Sequence, residues 1–183
     1  MSFTTAENAS DPPSLPVASS SRTPVTQQHP LFDERLIGVV LRANVNGDKY
    51  KNSELPVSIA EAEGCFSILH MLPTKSKPLA SSWVSPKHPN PTRDNGLLVV
   101  IKGEHCSKLV RRIHHRYDDS HQAFVKLAIV KKEPGTADTI LGEQLELTVD
   151  FLCLGSETPD EKTRNASLME SLRAEARAQA RKK

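Results

Sequence analysis

Apolar residues in this chain mostly fall at alternate positions within short runs, the spacing of strands rather than helices. Leu36-Ile-Gly-Val-Val-Leu41 reads as a strand, and Asn46-Gly47 after it is a strong turn signal. In the next run Leu55, Val57 and Ile59 share one face, and Pro56 on the opposite face predicts an edge or a strand start. Cys65–Met71 is a third strand after a turn at Gly64, and Trp83-Val84 is a short apolar element.

The pattern is cleaner in the second half. Leu97, Val99 and Ile101 alternate onto one face. On the following strand Leu109 and Ile113 flank Arg111 on one face, with Val110, Arg112 and His114 on the other. Phe124–Val130 is almost wholly apolar, as a central strand requires, and Pro134-Gly135 marks a loop. Leu145, Leu147 and Val149 alternate with Gln144, Glu146 and Thr148, a half-buried strand with an acidic outer face, and short apolar Phe151–Leu154 follows.

The ends differ from this β pattern. Residues 1–30 carry Pro12, Pro13, Pro16, Pro24 and Pro30 among Ser and Thr, and are expected to be a disordered tail. Residues 159–183 read as a helix that begins with Pro159, Asp160 and Glu161 and ends in Arg181, Lys182 and Lys183, complementing the helix dipole. Leu168 and Leu172, four apart, would let one turn dock.

The expected organisation is mainly β: a tail (1–30), a degenerate small β-module (31–85), a stiff linker (86–95) with three prolines, a small closed β-barrel (96–158) and a basic C-terminal helix (159–183). A 60-residue barrel has a marginal core, so packing against the first module is expected to add stability. Trp83, the only tryptophan, is either a core or inter-module plug or a stacking platform for a ligand, the plug being the ordinary role.

A net charge of +2 hides a strong asymmetry. Gly96–Tyr117 holds Lys102, Lys108, Arg111, Arg112 and Arg116 against Glu104 alone. Residues 138–161 hold Asp138, Glu143, Glu146, Asp150, Glu157, Asp160 and Glu161 with no Lys or Arg. One small barrel built from both would carry faces of opposite sign. The three cysteines, Cys65, Cys106 and Cys153, are too scattered for a disulfide framework or a zinc site and read as reduced thiols. The chain opens without a signal-peptide pattern and has no apolar run near the ~20 residues of a membrane span, so a nuclear or cytoplasmic location without membrane contact is expected.

Gly96-Leu-Leu-Val-Val-Ile-Lys-Gly-Glu-His-Cys-Ser-Lys-Leu-Val-Arg-Arg-Ile113 resembles the KOW motif, the first hairpin of a small SH3-like five-stranded barrel. Gly96, Val99, Ile101 and Gly103 take the family's places and Lys108 its basic position after the turn. Ser107 stands where the family usually has a turn glycine, and Leu109-Val110 replaces a further glycine-bearing step. Val39-Val-Leu-Arg42 parallels Val99-Val-Ile-Lys102, which suggests that the first module is a degenerate second copy. Trp83–Tyr117 is also similar to segments of uncharacterised fungal proteins. The KOW resemblance implies a non-catalytic binding module, contacting RNA, DNA or a transcription or translation complex and using no cofactor. On this reading Lys102, Lys108, Arg111, Arg112 and Arg116 would contact phosphates and Tyr117 would stack on a base. Arg181, Lys182 and Lys183 would add non-specific affinity. The bland reading of the same charges is a solvated barrel face. The alternative function is a protein–protein adaptor that uses the barrel groove and the acidic strand.

Two other constellations suggest chemistry. His105, His114, His115 and His121 lie near Cys106, but a metal site needs about four converging ligands and adjacent pairs leave a strand on opposite faces. A Cys106–His114 or Cys106–His115 dyad would be a hydrolytic centre, against the simpler reading of a turn cysteine beside surface histidines. The chain carries no P-loop, GxSxG or HExxH, so the expectation is a protein that is not an enzyme.

Overall fold

A computed structural model describes residues 29–47 and 49–181. The expected tail up to residue 28, together with Lys182 and Lys183, lies outside them. The described chain is mainly β, with two antiparallel five-stranded sheets followed by a short helical segment.

The first sheet contains β1 (Val40–Gly47), β2 (Tyr50–Ala62), β3 (Cys65–Met71), β4 (Ser76–Leu79) and β5 (Val84–Pro86), in the order β4-β3-β2-β1-β5. The second contains β6 (Leu97–Val100), β7 (Leu109–Tyr117), β8 (Ala123–Lys131), β9 (Thr139–Thr148) and β10 (Leu152–Leu154), in the order β10-β6-β7-β8-β9. Both runs are wired alike. In each, the first strand pairs with the second and the fifth, the fourth lies at the far edge, and a 3-10 turn (Ser81–Trp83 or Val149–Phe151) joins the fourth to the fifth. Among the described residues no ladder joins β4 to β5 or β9 to β10, so the sheets are open where closure was expected.

Local chemistry explains where the strands depart from the sequence pattern. The expected strand at Leu36 begins only at Val40, because Asp33 caps a 3-10 turn over Glu34–Leu36 and Gly38 adopts φ +76. Pro56 lies on β2, an interior strand rather than an edge. The missing N–H is tolerated because β3 pairs with β2 only from Val57 onward, leaving Pro56 opposite Arg42 with a neighbour on one side. On β7 a bulge between Arg112 and His114 breaks the alternation, so that His114 pairs with Lys126 and Ile113 packs with Ala128.

The expected single helix is two, α1 (Pro159–Arg164) and α2 (Ala166–Ala180). Thr158 and Glu161 form a capping box that starts α1. The break falls at Asn165, whose Oδ1 accepts from the backbone N–H of Asp138 at 2.7 Å. Leu172, with Met169 and Ala176, packs α2 onto Ile113 and Ala128 of the second sheet.

One core spans both sheets. Leu36 of the preceding 3-10 turn and Leu41, Val57 and Ile59 of the first sheet share a cluster with Val99, Ile101, Cys106 and Cys153 of the second segment. Each fully buried Leu or Ile contributes about 1.5–3 kcal/mol relative to exposure, so this shared cluster couples the stability of the two sheets. Polar contacts follow the same seam: Arg35 Nη1 donates to Gly103 O at 2.9 Å and Cys153 Sγ to Arg42 O at 3.2 Å. The proline-rich segment 86–95 is stitched down along it. Lys87 N–H donates to Arg42 O at 3.2 Å, Leu154 N–H donates to Lys87 O at 2.9 Å, and His88 Nδ1 bonds Leu152 O at 2.8 Å. A second cluster (Leu98, Val100, Val110, Val125, Leu127, Ile129 and Leu152) lies wholly within the second sheet, which must curl to bury it.

Candidate functional site

The basic strand β7 distributes its cations very differently. Arg111 shares its face with Ile113 and Ala128 under α2 and is 1% exposed. Its Nη2 donates to Asp138 Oδ2 at 2.6 Å and to Glu157 Oε1 at 2.5 Å, while Nε donates to Asp138 Oδ2 at 3.0 Å. Glu157 Oε2 in turn accepts from Leu97 N–H at 2.7 Å. Arg111 is therefore withdrawn from the phosphate-contacting set expected from the sequence. Its charge is satisfied inside the protein, since an unpaired buried guanidinium would be very costly.

Arg112 is half-buried and donates to Pro91 O and Asn95 Oδ1. Burial, and then the like charge of Arg173 on α2, hold its guanidinium below the ordinary arginine pKa, and Asp94 opposes them less strongly. Arg116 is exposed and forked onto Glu146 at 2.7 and 3.2 Å, with its guanidinium 4.7 Å from the Phe124 ring centre. The Glu146 hydrogen bond raises its pKa. Tyr117 is 52% exposed at the end of β7, edge-on to His115 with ring centres 5.8 Å apart. Lys102 reaches Asp150 at 3.7 Å, Lys108 is exposed, and Arg181 is exposed at the end of α2.

The acidic segment is divided: Glu143, Glu146, Asp150 and Asp160 are exposed, while two of its carboxylates turn inward. Asp138 and Glu157 are buried against Arg111, with 3% and 2% of their side chains exposed. Glu161 caps Thr158 and pairs with Lys132 at 2.7 Å, and that pairing lowers its carboxyl pKa. Asp150 is lowered by the Thr148 hydroxyl, and Glu146 holds Arg116.

A groove of about 560 Å³ runs between α2 and strands β7, β8 and β9, lined by His114, His115, Arg116, Phe124, Lys126 and Glu146 with residues of α2. Lys126 Nζ donates to the neutral Oε1 of Gln179 at 3.0 Å. Burial pushes the His115 imidazole below its ordinary pKa, and Arg112 and His114 add to this. Of the groove's polar lining, sequence reasoning singled out Arg116 as a phosphate contact and passed over Lys126, whose only signal was a lone cation within an apolar strand. A smaller pocket of about 350 Å³ is lined by Arg111 and Glu157 together with Arg93, Asp94 and Lys162.

The other constellations do not assemble. Cys106 packs in the shared core at 3% exposure and burial raises its thiol pKa, whereas His114 and His115 line the groove at α2. Among the described residues no group of three or more His, Cys, Asp or Glu converges as metal ligands would. None of the described helices is long and apolar enough to cross a membrane. Trp83 lies flat over the Gly47 turn, where a Cβ would sit 2.5 Å from its Cδ2. No family model matches this chain, and no curated protein is significantly similar to it.

Proposed function

We propose that the chain is a non-catalytic binding module, nuclear or cytoplasmic, that contacts nucleic acid or a nucleic-acid-bound complex, its second unit being a KOW-like, SH3-like module. The shared strand order of the two sheets, each with first and fifth strands side by side and a 3-10 turn before the fifth, supports reading both as small SH3-like units. The observation that carries the functional reading is the packing of α2 against β7, which brings the exposed Arg173 and Arg177 to the same side of the second sheet as the half-buried Arg112. Gathering like charges costs free energy in the free protein and is relieved by an anionic partner. The contact surface then shifts from the whole β7 strand to Arg112 and Lys108 together with the exposed cations of α2. A phosphate backbone fits this surface of cations.

Fluorescence anisotropy of the full chain with labelled single- and double-stranded RNA and DNA across a salt series tests the reading. Affinity should fall steeply with salt, and Arg173→Ala should weaken it and reduce the salt slope by about one. Absence of binding at low salt in the wild type overturns the proposal.

A second reading, a protein–protein adaptor, draws on β9. This ten-residue strand lies at the sheet edge without Lys or Pro and exposes Ile140 (37%) and Leu141 (54%) beside Glu143. It predicts capture of a protein partner that survives high salt.

A further inference from the structure

We infer that the groove between α2 and strands β7–β9 seats a single-stranded stretch of the nucleic acid, with a base on the Arg116–Phe124 pair and a neighbouring phosphate at Lys126. This rests on the proposed nucleic-acid function and assigns it a site. The β7 bulge sets the geometry of this groove. By resetting the alternation it places His114 directly across from Lys126, and Lys126 across from Glu146, in one row. Arg116, Phe124 and Thr148 form the next row.

In the second row the Arg116 guanidinium stands 4.7 Å from the Phe124 ring centre and is forked by Glu146 at 2.7 and 3.2 Å. A guanidinium pinned by an aromatic ring and a carboxylate is a flat, fixed platform whose charge is already balanced, a surface suited to stacking a base. In the first row Lys126 donates to the Gln179 amide at 3.0 Å, a bond that fixes where its ammonium sits.

Size and walls favour a single strand. A groove of about 560 Å³ with α2 along one side has room for a nucleotide or two rather than the breadth of a duplex. A duplex also hides its base faces within its own stack. An acidic peptide would satisfy Lys126 but would leave the platform beside it unused.

The test uses the full chain and four probes: a labelled 12-mer of dT, the same length of rU, a duplex, and a poly-glutamate peptide. Wild type should prefer single strands to duplex by about tenfold or more, stacking being available only to unpaired bases. Lys126→Ala should weaken single-strand binding several-fold and lower the salt slope by about one. Phe124→Leu, which keeps an apolar side chain, should weaken binding about tenfold and leave the slope unchanged. Circular dichroism of both variants should match wild type. If wild type binds single strands while both variants retain its affinity and slope, the groove is not the site and the proposed function stands on another surface. If wild type binds no oligonucleotide, or binds only poly-glutamate, both the site and the function are overturned.

Discussion

The Arg111 guanidinium and the Asp138 carboxylate meet at 2.6 Å in the interior, with 1% and 3% of their side chains exposed. With Glu157 they form a triad of one cation and two carboxylates that links β7, the start of β9 and the approach to α1. Asn165 bonds the backbone of Asp138, so the triad also holds the joint between the two helices. A residue counted as nucleic-acid-contacting on charge alone is in fact a structural pin.

Removing that pin should be severe. Arg111→Met leaves two buried carboxylates uncompensated and is expected to cost about 3–5 kcal/mol. Adding Asp138→Asn and Glu157→Gln should restore most of the loss. Urea denaturation of the single and triple variants measures both. A single-variant loss below about 1 kcal/mol would contradict the burial argument.

Gly47→Ala should also destabilise, because the new Cβ would fall 2.5 Å from Trp83 Cδ2 and 2.6 Å from its Cε3. A cost of about 1–3 kcal/mol is expected as the indole is pushed off the turn. Trp83 is the only tryptophan, so its emission reports the displacement directly. Unchanged stability and emission would show that the ring accommodates the methyl without strain.

The three thiols should separate by reactivity. Cys65 is exposed, while Cys106 and Cys153 are buried, and burial pushes the Cys153 thiol up to about 12. Ellman's reagent at mildly alkaline pH should therefore titrate one thiol quickly in the native protein and all three in denaturant. Cys65→Ser should abolish the fast phase. Rapid reaction of two or more native thiols would contradict the packing of the shared core.

Asp33 provides a pH prediction. The Arg35 side chain beside it lowers its carboxyl pKa to about 2, and Arg35 also reaches Gly103 O at 2.9 Å across the seam. A carboxyl with a depressed folded pKa stabilises fully above its unfolded value of about 3.9 and loses that contribution as pH falls through about 2. Asp33→Asn should thus narrow the stability difference between pH 5 and pH 2.5, measured as urea midpoints. The pair is partly exposed, so the effect should be small and shrink further in salt. An identical pH dependence in wild type and variant would remove Asp33 from the acid transition.

Several strands were legible because period-two alternation is a local property. Cys65–Met71 runs as read, and β7 and β8 lie within a few residues of their apolar runs. β4 escaped notice because Ser76-Lys-Pro-Leu79 offers one buried residue and a proline, and only pairing with β3 makes it a strand. β9 begins earlier than its alternation, because Thr139 and Ile140 are held by their β8 partners rather than by a buried face.

The role of Arg111 was also partly written in the pattern, since Leu109 and Ile113 flank it on one face. An arginine in an apolar row is a candidate for burial with a partner, but nothing nearby in sequence identifies that partner. Asp138 and Glu157 lie 27 and 46 residues away.

Hydrophobic alternation, turn glycines and the helix-start residues Pro159, Asp160 and Glu161 acted within a few residues of chain, so the sequence alone determined the β character, most strands and where the C-terminal helical segment starts. Only the tertiary structure decided that the two sheets share one core, that their edges stay open, that Arg111 is spent internally, and that the β7 bulge sets His114 opposite Lys126. Those outcomes depend on which distant charges and side chains meet, and on the cost of leaving a buried charge unpaired, terms set by contacts between residues far apart in the chain.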